Sequence, residues 1–468
     1  MTASERIPYD PRTYEPLTFH DKTQSFIDGS DSPRDYLERC IATIAEREPV
    51  VKALTAINEE GARAAADAST ARWKAGKPLS SIDGMPVSIK DLLETKDMPT
   101  EFGCEAFKGN FPTRDNAAVS ALREAGAVIL AKTVTAELGG NHPGPTTNPF
   151  DPARTPGGSS SGSAAAVAAK MMPAAIGSQV GGSIIRPSAF CGNVSLKPTQ
   201  GAINRGERMA TSMSTHGPHA GCIQDMWHVA IEIAKRAGGD RGCRALKGPD
   251  DTPPATKPAR LMVLETAGWN FTDDASKAAF NELRAQMAAA GIEMIDRHSN
   301  ASVNFMEHAI VDAQEIAGEI TQWENRWAIR NMIDQYGDKV SFRSQGAVKR
   351  AEAMSVGDYE ILLTRREAAQ AAHANLAGLA DVAITLSCPG PAPLWDASAP
   401  DADKVKHPTG YAIFNYPSSM LFAPVVTVPL MAIDGLPVGL QVMGWPGDDA
   451  KVTAIARWIQ ENIAPVVG

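Results

Sequence analysis

A chain of 468 residues with 43% hydrophobic and 21% charged residues has room for one large α/β body with insertions or about three smaller domains. Its net charge of -9 and its lack of a basic block argue against a nucleic-acid or anionic-membrane surface. No apolar run reaches the roughly 18 residues of a membrane span, and MTASERIPYDPRTYEP has no apolar signal core, so a soluble, cytoplasmic protein without a membrane partner is expected.

Residues 1–30 read as an irregular N-terminal segment, punctuated by prolines at its start. Ser32 then offers an N-cap, Pro33 a first helical position and Asp35 a first-turn acid, and Leu37, Cys40, Ile41 and Ile44 follow at helical spacing. A second helix is expected over 59–73, closed at Gly76-Lys77-Pro78. Residues 87–89 read as a short apolar strand that delivers Lys90 at its end. Taken alone, a lysine in that place is usually solvated, and Asp91 beside it reads as structural. A helix over 117–126 with a glycine C-cap precedes a strand over 127–131, which leaves Lys132 and Glu137 on loops lining the body.

The stretch 154–199 holds two glycine-serine clusters separated by alanine-rich, helix-forming sequence. A flexible linker has similar composition, but the apolar runs 164–169 and 180–190 are core-forming. Glycines beside serines inside packed sequence suggest N–H groups and hydroxyls converging on one place. Gly158-Ser159-Ser160-Ser161-Gly162 also satisfies G-x-S-x-G, which would make Ser160 the nucleophile of an α/β-hydrolase. That motif needs a strand just before it, and Pro149, Pro152 and Pro156 are incompatible with a central strand there.

His216 and His219 lie near Ser214, but no motif places a carboxylate between them for a Ser-His triad. Residues 238–258, rich in Gly, Pro and charge, read as a long surface loop. A strand over 260–265, a helix over 274–290 and a strand over 291–296 then suggest a further parallel unit of the same sheet. Mostly helical sequence, 303–336, carries Trp323 and Trp327; a helix over 358–379, a strand over 382–386 and a Pro- and Asp-rich loop over 388–409 follow. The six cysteines, Cys40, Cys104, Cys191, Cys222, Cys243 and Cys388, are scattered without a C-x-x-C pair or a histidine at metal spacing, so reduced thiols and no metal are expected.

Gly157-Gly158-Ser159-Ser160-Ser161-Gly162-Ser163, then Gly181-Gly182-Ser183, Cys191-Gly192 and Leu196-Lys197-Pro198-Thr199 stand in the order and spacing of the amidase signature family. The segment Gly84-Met85-Pro86-Val87-Ser88-Ile89-Lys90-Asp91 resembles that family's lysine motif. The resemblance runs from about residue 30 to 460 and is only an outline over 260–410. It implies an α/β fold with a central mixed β-sheet flanked by helices on both faces. It also implies a single domain over 1–468, with 260–410 as its variable substrate-pocket region.

Under this resemblance Ser183 is the nucleophile, Ser159 the bridging serine held behind a cis peptide after Gly158, and Lys90 the base. The N–H groups of Val180, Gly181, Gly182 and Ser183 would form the oxyanion hole, worth roughly 3 kcal/mol per donor. To accept a proton near neutral pH, Lys90 must have its pKa lowered from about 10.4 to near 7, a cost of about 4 kcal/mol supplied by burial. The implied activity is hydrolysis of a small-molecule amide, or a related C–N bond, to acid plus ammonia or amine through a serine acyl-enzyme, without metal or cofactor, in a homodimer.

Alternatives on the same residues are a glutamine-hydrolysing subunit of an aminoacyl-tRNA amidotransferase and a catalytically silent binding protein. The intact Lys90, Ser159 and Ser183 argue against the latter. Trp323, Trp327, Trp395 and Phe414, with Tyr416 near the last, are the candidate substrate-binding residues, shaped for an aryl or other apolar acyl group. One departure stands out: where many members have an acid and an arginine, this chain has Gln179 and Ile185, with Arg186 one position later. The two changes together read as one altered ion pair.

Overall fold

The computed structural model describes residues 6–207 and 211–468. Among them twelve strands form one mixed sheet: β1 Leu54–Ile57, β2 Pro86–Lys90, β3 Val128–Thr133, β4 Ala174–Gln179, β5 Val194–Lys197, β6 Thr215–Ala220, β7 Arg260–Val263, β8 Glu293–Ile295, β9 Val382–Leu386, β10 Val425–Ile433, β11 Leu436–Met443 and β12 Val466–Val467. Their order is β1-β3-β2-β4-β6-β5-β10-β11-β9-β7-β8, and β12 pairs with β10. Pairings of β2 with β3 and β4, of β7 with β8 and β9, and of β10 with β12 are parallel; the others are antiparallel. This is the mixed α/β architecture that the sequence led one to expect, and the segment Arg260 to Ile295 forms the expected parallel β-α-β unit around the helix Asp274–Ala289.

Local signals explain several boundaries. Ser32 accepts a hydrogen bond from the Asp35 N–H and starts the helix Pro33–Val51, as its capping sequence predicts. Every residue of β2, β3 and β4 is buried, as parallel strands covered on both faces must be.

Three expectations change. The N-terminal segment is not wholly irregular, because a short 3-10 turn, His20–Lys22, leads into the helix Thr23–Asp28. Phe19 and Phe26 order it by burying their rings against Tyr36; residues 1–5 of that expectation lie outside the described residues. Lys132 is not on a loop but inside β3, fully buried, where the Asp91 carboxylate neutralises it at 3.1 Å. Glu137 is likewise buried, in the 3-10 turn Glu137–Gly139, and it accepts from the Ser341 N–H at 2.9 Å and the Ser344 hydroxyl at 2.6 Å.

The strand β4 was not legible at all. Its sequence, AAIGSQ, has weak strand propensity, and the alanines before it read as helix. The helix stops at Ala168, and β4 is captured between β2 and β6, where small side chains suit close packing.

Candidate functional site

Lys90 ends β2, between β3 and β4, and its side chain is fully buried. Its Nζ lies 2.8 Å from Ser159 Oγ, 2.9 Å from Ser160 Oγ, 3.0 Å from Ser178 Oγ and 3.2 Å from the Ser178 carbonyl oxygen. Hydroxyls and a carbonyl satisfy an amine's hydrogen bonds without compensating a charge. Burial, reinforced by the positive charge of Arg186, therefore holds the Lys90 amine well below the usual lysine range. A neutral amine in this cage keeps a lone pair for a hydroxyl proton.

The peptide between Gly158 and Ser159 is cis. Arg186 reaches the Gly158 carbonyl from the helix Ile185–Cys191, with Nη2 donating at 2.5 Å, while its Nε donates to the Thr409 carbonyl at 2.8 Å. The guanidinium is buried, and desolvation pushes its pKa down to about 10. Ser160, the candidate of the G-x-S-x-G reading, is fully buried. It donates to the Ser178 carbonyl at 3.2 Å and accepts from the Ser178 N–H at 3.3 Å, besides accepting from Lys90. No strand precedes it, so it braces the lysine instead of meeting solvent.

Ser183 sits just before the helix Ile185–Cys191, and its carbonyl accepts the Ser160 N–H at 3.2 Å, which ties the two serine-bearing segments together. Among the described residues, the N–H groups of Gly181, Gly182 and Ser183 donate to no protein acceptor. The two glycines are required by what surrounds them: a Cβ on Gly182 would come within 2.4 Å of Asn415 Oδ1, and one on Gly181 within 2.8 Å of the Tyr416 ring. Gln179 organises this loop from beneath. Its Oε1 accepts the Ile184 and Ile185 N–H groups at 2.8 and 3.0 Å, and its Nε2 donates to Ser419 Oγ, which in turn donates to the Gly181 carbonyl. Gln179 and Arg186 thus serve different partners, the first the glycine loop and the second the Gly158 carbonyl.

The histidines are placed as core residues. His219 Nδ1 meets Ser188 Oγ at 2.7 Å, and burial lowers the pKa of both His216 and His219 to about 3, so each is neutral. The aromatic candidates are not brought together. Phe414 is buried against Gly268, Trp327 is exposed, Trp323 stacks on Tyr359 with its centroid 5.5 Å away, and Trp395 is half-buried with its backbone N–H donating to the Ala153 carbonyl. A cavity of about 410 Å³ is lined by Gln314, Glu315, Glu319, Gln322, Ile413 and Tyr416, so of the aromatic candidates Tyr416 lines it and the other four do not; the Tyr416 ring also packs against Gly181. Ser178 is the functional neighbour that the sequence reading missed. The signal for it lies in the pairing of β2 with β4, which sets Ile89 against Ile176 and so brings Ser178 to the end of Lys90.

The Amidase family profile matches residues 35–453. The A subunit of the glutamyl-tRNA(Gln) amidotransferase of Myxococcus xanthus is 29% identical over 473 residues, covering 94% of this chain and 96% of that protein. Its counterpart of the same name from Chloroflexus aggregans is 30% identical over 450 residues, covering 89% and 90%. A crystal structure of an amidase superposes with a TM-score of 0.81 at 26% identity, covering 96% of this chain and 100% of that one. The peptide amidase of Stenotrophomonas maltophilia shares the fold, with a TM-score of 0.76 at 22% identity over 97% of this chain and 99% of its own.

Proposed function

This chain belongs to the amidase family, and from that premise we propose that it hydrolyses a linear carboxylic amide through a Lys90–Ser159–Ser183 triad. The single observation that carries the reading is the buried Lys90 amine, 2.8 Å from Ser159 Oγ and surrounded by hydroxyls with the Arg186 charge behind it. In the proposed course, neutral Lys90 takes the Ser159 proton as Ser159 takes that of Ser183. Ser183 Oγ adds to the amide carbon, and the oxyanion is held by the N–H groups of Val180, Gly181, Gly182 and Ser183. The proton returns through Ser159 to the departing nitrogen, the C–N bond breaks, and water repeats the sequence on the acyl-enzyme. The scheme calls on no metal or cofactor.

The polar lining of the cavity that reaches Tyr416, with Gln314, Glu315, Glu319 and Gln322, supports a substrate bearing an N–H or ammonium donor more than the aryl group read from the tryptophans. Within the variable region 260–410 this face is the one we assign to substrate. We further propose a cytoplasmic homodimer; no helix of the described residues is long and apolar enough to cross a membrane.

A serine-directed fluorophosphonate, followed by peptide mapping, tests the nucleophile: the adduct is expected on Ser183, and an adduct on Ser160 or none at all overturns the assignment. The names of the relatives favour one second reading, a glutamine-hydrolysing subunit that works with partners. Turnover of simple amides by the purified chain, at the mass of a dimer, supports the first reading; glutamine turnover appearing only with added partner subunits supports the second.

A further inference from the structure

At the start of the helix Ile223–Ala237, His20, Cys222 and Asp225 each bring one ligand atom within 4.8 Å of the others. Sulfur and nitrogen are 3.4 Å apart, Cys222 Sγ to His20 Nδ1, and His20 Nδ1 is 3.5 Å from Asp225 Oδ1. Such spacings are the edges of a tetrahedron around an ion with bonds of about 2.0–2.3 Å. We propose that these three side chains bind a zinc ion, with water in the fourth position.

The surroundings have the form of an outer shell. His20 Nε2, the nitrogen turned away from the cluster, lies 2.8 Å from Asp21 Oδ1, so a carboxylate holds the ring with Nδ1 free for a metal. Asp21 is itself fixed by the Thr18 hydroxyl at 2.7 Å. The Asp225 carboxylate is fixed by two backbone donors, Oδ2 accepting the Phe19 N–H at 2.7 Å and Oδ1 the His20 N–H at 3.0 Å, and Oδ1 keeps a second lone pair on the side of the His20 ring. One turn further along the helix, His228 carries a buried Nδ1 with no hydrogen-bond partner among the described residues. Thiolate, imidazole and carboxylate together suit zinc rather than magnesium or calcium, whose ligands are oxygens. The solvent side is open enough for entry, since the His20 side chain is 25% exposed while Asp225 is fully buried.

The residues come from points more than two hundred positions apart, which is why the scattered cysteines gave no metal signal. The N-terminal strand of chain that supplies His20 lies directly on Gly221, where an added Cβ would meet the Leu17 carbonyl at 2.3 Å. Zinc would therefore clip the N-terminal segment to the body. The clip lies just beyond Ala220, at the opposite end of β6 from the His216–Ser178 pairing that adjoins Lys90, so its role is structural. On binding, the Cys222 S–H bond breaks, its proton passes to solvent, and the electron pair goes to the metal.

The test uses the full chain stripped with a chelator and titrated with Co²⁺ and Zn²⁺ separately. One equivalent of Co²⁺ is expected to give a near-ultraviolet thiolate-to-cobalt charge-transfer band, which zinc displaces with a rise in melting temperature. Cys222→Ser keeps a good helix cap and is expected to lose the band with turnover unchanged, while Asp21→Asn is expected to weaken zinc binding about 10-fold or more. A chain with no band, or with a band that survives Cys222→Ser, or with zinc affinity unmoved in His20→Ala, overturns the proposal and leaves the cluster as a hydrogen-bonded cap.

Discussion

Two fully buried lysines on adjacent parallel strands, Lys90 on β2 and Lys132 on β3, have opposite surroundings. Lys132 meets a carboxylate, Asp91, at 3.1 Å, with the Thr100 hydroxyl at 2.6 Å and the Pro99 carbonyl at 3.1 Å. Lys90 meets three serine hydroxyls and a carbonyl, and feels the positive charge of Arg186. The register pairs Lys90 with Thr133 and Ile89 with Lys132, so alternation along the strands sends the two amines to opposite faces of the sheet. Asp91, one residue beyond Lys90, falls on the face of Lys132. Burial depresses both amines, but for Lys132 the Asp91 charge opposes the shift. Where the carboxylate lies decides which lysine can act as a base and which is a structural cation.

The sharpest way to break this contrast is to remove each amine in turn. Lys90→Ala is expected to cut kcat/KM by about 10⁴-fold while the melting temperature stays close to that of the parent, because no charge is left unpaired. Near-normal turnover at neutral pH in that variant would remove lysine from the mechanism. Lys132→Met is expected to act the other way, leaving Asp91 buried without its cation at a cost of about 3–5 kcal/mol in denaturant unfolding. Its activity per folded molecule should survive.

A third variant converts one environment into the other. Ser178→Asp sets a carboxylate within reach of the Lys90 amine, which favours the ammonium form and raises the pKa. Only the free base can accept a proton, so kcat/KM climbs as pH rises through the Lys90 pKa and then levels off. In the parent, where burial depresses that pKa, the plateau begins well below the usual lysine range; in Ser178→Asp the same limb is expected at higher pH. A pH–rate profile with circular dichroism as a folding control reads the shift, and an unmoved limb would mean that it reports some other group.

How much of this was legible follows the same division. Lys90, Ser159 and Ser183 stand in short motifs whose spacing survives in one dimension, so the sequence alone singled them out. The partners of Lys90 were not all visible: Ser178 becomes its neighbour only through the pairing of β2 with β4, and β4 has the composition of a helix. Lys132 reads as a loop residue because a strand ending in lysine looks solvated until Asp91 is seen at the end of the neighbouring parallel strand. The tryptophans do not line the cavity that Tyr416 lines, and helical periodicity says which residues share a face but not what that face packs against. The His20, Cys222 and Asp225 cluster joins distant segments and has no local signature.

The smallest effect is expected at the residue that breaks the family's charge pattern. Gln179 supports the glycine loop with both ends of its amide, accepting from the Ile184 and Ile185 N–H groups and donating to Ser419. Gln179→Glu keeps the acceptor but loses the donor and brings a charge into a buried place. Arg186, the nearest guanidinium in sequence, is already engaged with Gly158 and Thr409. If the two positions are now independent, the introduced carboxylate finds no cation, and the substitution costs about 1–3 kcal/mol of stability with the pH–rate limb of Lys90 in place. If they still act as one pair, Arg186 swings toward that carboxylate, its field on Lys90 is neutralised, and the limb moves to higher pH. Measuring melting temperature and pH profile on the same variant separates the two, and a shifted limb with unchanged stability would restore the pairing that this chain otherwise lacks.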